Sequence, residues 1–207
     1  MKVKLLNHMG SDIDIEKSAR ISYDKFDENR TKTDTERLIR FLWWHRHTSP
    51  FEHVVFTFLI ECPIFVARHI MRHRTASINE ISRRYTNENI KFYVDNELKD
   101  TKDFVLNSFY KYQTMLANGV RQEIARGILP QSMLTKFVWT INLRNLFHFL
   151  DLRLSENTQR ETRDIAKKIL ELIQPVVPIA TKAFLDWKTM KDEFYKDNYE
   201  RYKHEKI

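Results

Sequence analysis

The chain has 207 residues, 42% hydrophobic and 30% charged, which is enough for one substantial core and ordinary for a globular protein. Its formal charge of +7, from 35 basic and 28 acidic residues, favours phosphorylated or polyanionic partners through long-range steering, without choosing between nucleic acid and a small phosphate ester. A single cysteine, Cys62, excludes an intramolecular disulfide framework, and three dispersed glycines, Gly10, Gly119 and Gly127, exclude a P-loop and a glycine-rich dinucleotide fingerprint.

Residues 2–7 predict a first strand and 15–21 a short amphipathic segment. The basic, apolar start is soon followed by Asp12, Asp14 and Glu16, and the best apolar run, 54–60, is far too short to span a bilayer. No signal peptide, anchor or membrane partner is therefore expected, and the expected compartment is cytoplasmic. Thr33-Asp34-Thr35-Glu36 has the form of a capping box, which predicts a helix to about Arg46 with Leu38, Phe41 and Leu42 on its apolar face. A polar turn over 47–53 follows, shaped by Pro50, and the β-branched and aromatic run 53–61 predicts a well-buried strand.

Pro63 suits the first position of a helix running to about His73, which would put His69, Arg72 and His73 on one face. His69-x-x-x-His73 has metal-ligand spacing, but Ile70 stands where the zinc-protease pattern needs glutamate and no third ligand is evident. Polar helix-end histidines and no metal are the expectation. Residues 72–85 then gather four arginines with His73, Asn79, Glu80, Ser77 and Ser82. Two readings stay open on residue chemistry: a solvated basic loop, or a cradle for a planar anion, since arginine forks match phosphate and carboxylate and stack on flat rings.

Further on, 91–95 predicts a strand, and a long helix from Thr101 carries Phe104, Phe109, Tyr112, Met115, Leu116, Val120 and Ile124 at helical spacing, ending at Gly127. Residues 133–140 predict another strand, and 142–154 a helix with Leu143, Leu146, Phe147, Leu150 and Leu154 as its buried stripe. On that wheel Arg144, His148 and Asp151 fall on one flank, and Asn142 and Arg153 on the other. A last helix over 158–173 is interrupted by Pro175 and Pro178, and a charged helical tail over 181–207, with Asp192, Glu193, Lys196 and Asp197, predicts a solvated face. A nucleic-acid-binding module is the rival from a different class, motivated by the charge and by Lys91-Phe92-Tyr93 and Tyr110-Lys111-Tyr112.

Arg72-His73-Arg74-x-x-Ser77-x-Asn79-Glu80-x-Ser82-x-Arg84 matches without a gap the signature of flavin-dependent thymidylate synthases. His47-x-Ser49-Pro50-Phe51-Glu52-His53, Arg126-x-x-Leu129-Pro130 and Trp139-Thr140-x-Asn142-x-Arg144, running on to Arg153, also resemble segments of that family and stand in its order. The resemblance implies a single α+β domain over 1–207, with a small, mostly antiparallel sheet packed by long helices, assembling as a homotetramer with active sites shared between subunits. It implies methylation of dUMP to dTMP, with 5,10-methylenetetrahydrofolate as carbon donor and FAD, reduced by NADPH, as hydride source, and no nucleic-acid partner. By matching position, Ser49, Arg72, His73, Arg74, Glu80, Asn142, Arg144 and His148 would contact FAD. His69, Arg72, Glu80, Ser82, Arg83, Arg84, Arg126 and Arg153 would hold dUMP, Arg83 through its backbone alone, with Arg153 as the catalytic residue and His47 beside flavin and folate. His69 stands where the family usually has glutamine, and His148 replaces an asparagine found in some members. The missing glycine motifs and the isolated Cys62 agree with that reading, because the other thymidylate synthase mechanism needs an activated thiolate.

Overall fold

The computed structural model describes residues 1–26 and 31–202. Two long strands organise it, β2 (Val55–Pro63) and β4 (Leu134–Asn142), paired antiparallel along their whole length from Val55↔Asn142 to Pro63↔Leu134. Strict alternation builds one apolar face: Phe56, Phe58, Ile60 and Cys62 are buried on β2, and Phe137, Trp139 and Ile141 lie directly opposite three of them on β4. On the other face Thr57 and Thr140 join hydroxyls at 3.0 Å. β1 (Lys2–Met9) pairs on the far side of β2 with a bulge between Leu5 and Asn7, and β3 (Ser77–Glu80) pairs on β4, giving the antiparallel order β1-β2-β4-β3. β1 ends at Gly10, whose φ of +81° suits glycine, and where a Cβ would come within 3.0 Å of His53 O.

The helices are α1 (Asp12–Arg20), α2 (Lys32–Trp44), α3 (Ile64–Ile70), α4 (Lys102–Ala117), α5 (Gln122–Ala125), α6 (Leu143–Arg153), α7 (Arg160–Ile173) and α8 (Pro178–Tyr202). The fold is α+β, with helices packed on the apolar sheet face. Trp43 of α2 sits edge-on to Phe51, Phe147, Phe184 and Trp187, which locks α2, α6 and α8 together, while Phe147 stacks on Phe184 at 4.6 Å.

Several boundaries differ from expectation. The N-cap of α2 is Thr31, not Thr33: its hydroxyl accepts from Asp34 N at 3.2 Å, so Asp34 takes the third helical position that Glu36 was expected to fill. Pro63 caps α3 rather than opening it, and α3 stops at Ile70, so His69 and His73 do not share a helix face. Among the described residues no group of His, Cys, Asp and Glu could hold a metal. Residues 91–95 form only a bridge, Phe92↔Met133. The long helix breaks after Ala117 at Gly119, with φ of +80°, rather than at Gly127. Its expected stripe is only partly covered: Phe109, Met115, Leu116 and Val120 are half-buried, Phe104 is 71% exposed, and only Val105 and Tyr112 of α4 are buried.

The expected solvated tail begins inside the core: Ala180, Thr181, Ala183, Phe184 and Lys188 of α8 are buried, and the continuous run of exposed residues begins at Asp192. Residues 203–207 of that tail lie outside the described residues. No helix among the described residues is long and apolar enough to cross a membrane.

α8 is anchored by Asp12, the buried first residue of α1, whose carboxylate accepts from Ile179 N at 2.8 Å and Ala180 N at 2.9 Å. One carboxylate thus serves the amino ends of two helices. Burial pushes its acid up from the usual carboxylate range, against the two amides, which hold it down. Replacing Asp12 by alanine leaves one buried and one half-buried N–H group unmet, so Asp12→Ala is expected to cost about 2–3 kcal/mol, read as a lower urea midpoint. A change below about 0.5 kcal/mol would show that the α1–α8 clamp contributes nothing.

Candidate functional site

α6 presents the site. Its N-cap, Asn142, accepts from Asn145 N at 3.0 Å and from Asn145 Nδ2 at 2.8 Å. The apolar stripe Leu143, Leu146, Phe147 and Leu150 is wholly buried, and this orients the polar remainder of the helix. Asn145, His148, Leu152 and Arg153 form one wall of a cavity of about 660 Å³. Ile141 of β4 lies beside them, and the other wall is His69 from the last turn of α3 with Arg72, His73, Arg74 and Thr75 from the loop that leads into β3.

The lining holds three arginines and three histidines and no carboxylate. His73 packs edge-on to Phe149 at 5.0 Å and lies 5.6 Å from His148. Burial, then the charge of Arg153 and the proximity of His148, pushes the His73 imidazole down to about 4. Burial, then the neighbouring Arg72, also lowers the basicity of Arg153. Among the described residues, His73 Nε2 and Arg153 Nε are buried with no hydrogen-bond partner. Such a concavity offers desolvated donors to an oxygen-rich anion and lowers the pKa of an acid placed against Arg153.

Thus His69, Arg72, His73, Arg74, His148 and Arg153 come together. His148 and Arg153 were expected on opposite flanks; five positions apart they diverge by about 140° on the wheel, and the long arginine stem closes that gap. Asn145 and His148 are also the wall of a second cavity of about 400 Å³, lined by Arg46, Thr48, Arg144 and Asp151 against Trp43, Phe147 and Trp187. There Arg144 pairs with Glu52, and Asp151 takes Lys191 Nζ at 2.6 Å with Lys188 at 3.6 Å. Ser49 and His47 line a separate groove of about 780 Å³ with Arg20, Tyr23 and Phe41.

The remaining predicted residues sit away from the cavity. Glu80, on β3, accepts from the Thr135 hydroxyl. Arg84 reaches Glu123 at 3.5 Å, Arg126 donates to Glu123 O at 3.4 Å, and Ser82 Oγ accepts from Arg84 N at 3.3 Å. Arg83 is turned inward, its guanidinium donating to Glu88 O at 2.8 Å while its own carbonyl accepts from Gln122. Within one chain, these residues and the α6 cavity are two clusters.

Sequence reasoning missed Thr75, Ile141, Asn145 and Leu152 as lining residues. Asn145 had a signal: three residues from both Asn142 and His148, it falls between the two polar flanks, opposite the buried stripe. Cys62 is wholly buried, and burial, then the Glu80 carboxylate, pushes its thiol up to about 12. That is the opposite of an activated nucleophile.

Residues 4–179 match the family described as thymidylate synthase complementing protein. The chain is 38% identical over 204 residues to the flavin-dependent thymidylate synthase of Pseudothermotoga lettingae, covering 90% of each chain. It is 40% identical over 203 residues to that of Thermus thermophilus, covering 88% of this chain and 74% of the relative. Among solved structures, the UMP/dUMP methylase PolB from Streptomyces cacaoi, bound with 5-Br dUMP, superposes with a TM-score of 0.84 at 33% identity, over 89% of this chain and 94% of that one.

The depressed His73 basicity is directly measurable. With no ligand present, the His73 ring protons are expected to titrate at about 4, and an oxyanion in the cavity is expected to raise that value. Since the unfolded-state value is about 6.5, the neutral ring contributes stability that is present above about pH 6.5 and lost as pH falls toward about 4. A ligand-free titration near 6.5 would contradict the buried, cation-flanked setting.

Proposed function

The chain belongs to the flavin-dependent thymidylate synthase family and is a methyltransferase, and on that premise we propose that it converts dUMP, 5,10-methylenetetrahydrofolate, NADPH and a proton into dTMP, tetrahydrofolate and NADP⁺. The observation that carries this reading is the cavity beneath α6, where three arginines and three histidines converge without a carboxylate to neutralise them. Buried His73 Nε2 and Arg153 Nε, both without partners among the described residues, fit an oxygen-bearing ring system. FAD suits such donors, because its phosphates and ring carbonyls are all acceptors. When bound, it supplies the hydride that it takes from NADPH.

The chain's own residues have distinct tasks. Arg72, His73, Arg74, Asn142, Arg144, His148, Ser49 and Glu80 would hold the FAD, and His47 would serve flavin and folate. Arg72, His69, Glu80 and Ser82 with the backbone of Arg83, Arg84 and Arg126 hold dUMP. Arg153 places a fixed cation at the uracil ring and favours its N3-ionised form, which pushes electron density toward C5. No thiolate is needed, in keeping with the inert setting of Cys62.

The separation of the Arg84–Arg126 cluster from the α6 cavity supports a site assembled from more than one chain. The outward apolar residues of α4 support burial in a homotetramer.

The test is dTMP formation from dUMP with NADPH and methylenetetrahydrofolate. Arg153→Ala is expected to lower kcat on the order of a hundredfold, because it removes a charge contact made to the activated ring. An unaltered kcat would remove Arg153 from its assigned role. Cys62→Ala is expected to keep turnover within about threefold, as a substitution outside the chemistry. A folded but inactive Cys62→Ala protein would restore the thiolate mechanism.

A further inference from the structure

His69 stands with one edge in the α6 cavity, beside Arg72 and Arg153. Its Nδ1 lies 3.2 Å from Oγ1 of Thr162, in the first turn of α7, and Thr162 is 0% exposed. That turn is rigidly held: Asp95 pairs with Arg160, and the Tyr93 hydroxyl reaches Asp95 at 2.9 Å and the buried Glu161 at 3.3 Å.

We propose that Thr162 is a positioning residue that fixes His69 as an Nε2–H donor to an oxygen of the pyrimidine nucleotide; this rests on the functional reading above and deepens it. A buried hydroxyl has to place its proton on an acceptor. Helical threonines commonly donate to the carbonyl four residues back, as Thr114 does to Tyr110 O at 2.9 Å. Thr162, in the first turn of α7, has no helical carbonyl four residues back, since Thr158 lies before the helix, and His69 Nδ1 is the partner it has among the described residues. The hydroxyl proton therefore goes to Nδ1, which leaves the ring proton on Nε2.

The chemistry of the surroundings gives that choice its meaning. Arg72, Arg74 and Arg153 are donors without acceptors, so the cavity selects oxygen atoms on its ligand, and a bare Nε2 lone pair would oppose them. An Nε2–H adds one more donor. An amide side chain would need no such partner, because it carries donor and acceptor together on one planar group. A histidine does need one, since its tautomer is set by the bond that the other nitrogen makes. The hydroxyl of Thr162 thus acts on the ligand through His69 and does not touch it.

The test is a double-substitution cycle on the FAD-loaded protein, read as dUMP dissociation constants by calorimetry, together with ¹⁵N NMR of the His69 ring. Thr162→Val is expected to weaken dUMP about fivefold in the parent, the scale of one lost hydrogen bond, and Thr162→Ser to restore it to within about twofold. In the His69→Gln background the same valine change should cost so much less that the cycle returns a coupling of about threefold or more. The NMR signature should be the Nε2–H tautomer in the parent and a mixture in Thr162→Val.

Equal losses in both backgrounds would mark Thr162 as merely structural and overturn the inference, as would an Nδ1–H tautomer in the parent. If Thr162→Val fails to fold, the parent tautomer and the Thr162→Ser affinity still decide it. A parent that loads FAD but binds no dUMP would overturn the functional reading and this inference together, whereas dUMP binding with no coupling overturns the inference alone.

Discussion

Arg153 and His148 on one wall of a cavity face Arg72 and His73 on the other without a carboxylate among them, and the rest of the molecule is arranged to hold them there. Elsewhere several buried and half-buried charges meet opposite partners. Asp151 takes two lysines from α8, Glu61 lies within reach of Lys2 and Lys136, and Glu16 meets Arg20 at 3.5 Å. Desolvating cations without such partners is unfavourable, and the lowered basicity of Arg153 and His73 is the trace it leaves. An anionic ligand relieves that cost, so the same feature that burdens the empty fold favours the occupied one.

The scaffold that bears this cost is stiff. β4 runs without interruption into α6, so the strand register Phe58↔Trp139 and the Asn142 cap together set where Arg153 emerges. Behind α6, Phe147 is stacked on Phe184 of α8 while Asp151 is tied to Lys188 and Lys191. The charged C-terminal helix is therefore part of the support for the site. Asp12, by holding the amino end of α8, extends that support back to the start of the chain.

Much of this was legible in the residues. The β-branched and aromatic run 53–61, the alternation of 133–140 and the helical stripe of 142–154 pointed to β2, β4 and α6, while the arginine-rich stretch 72–85 left a solvated loop and an anion cradle both open, and Arg72 and Arg74 line the cavity. What misled were places where tertiary contacts overrode local pattern. Residues 91–95 have strand composition but make a single bridge, Phe92↔Met133, just before the start of β4 and beyond the reach of β3, which pairs only with Phe137 to Thr140. The α4 stripe has helical spacing yet is only partly covered, with Phe104 exposed, because periodicity reports a sticky face without saying what covers it.

The site was legible as a set of residue types but not as a geometry. Nothing in the chain order shows that Arg84 and Arg126 gather around Glu123, away from Arg153. The bond between His69 and Thr162 joins positions 93 residues apart, which no local spacing can reveal.

The most direct test of the central idea, that the unneutralised cavity is built for a flavin, is spectroscopic titration of the purified protein with FAD, comparing the parent with Arg74→Ala. Saturable binding with a perturbed flavin spectrum, weakened on the order of tenfold or more by the loss of one charge-assisted contact, is the predicted result. A protein that stays colourless and takes up no FAD would contradict the account at its root.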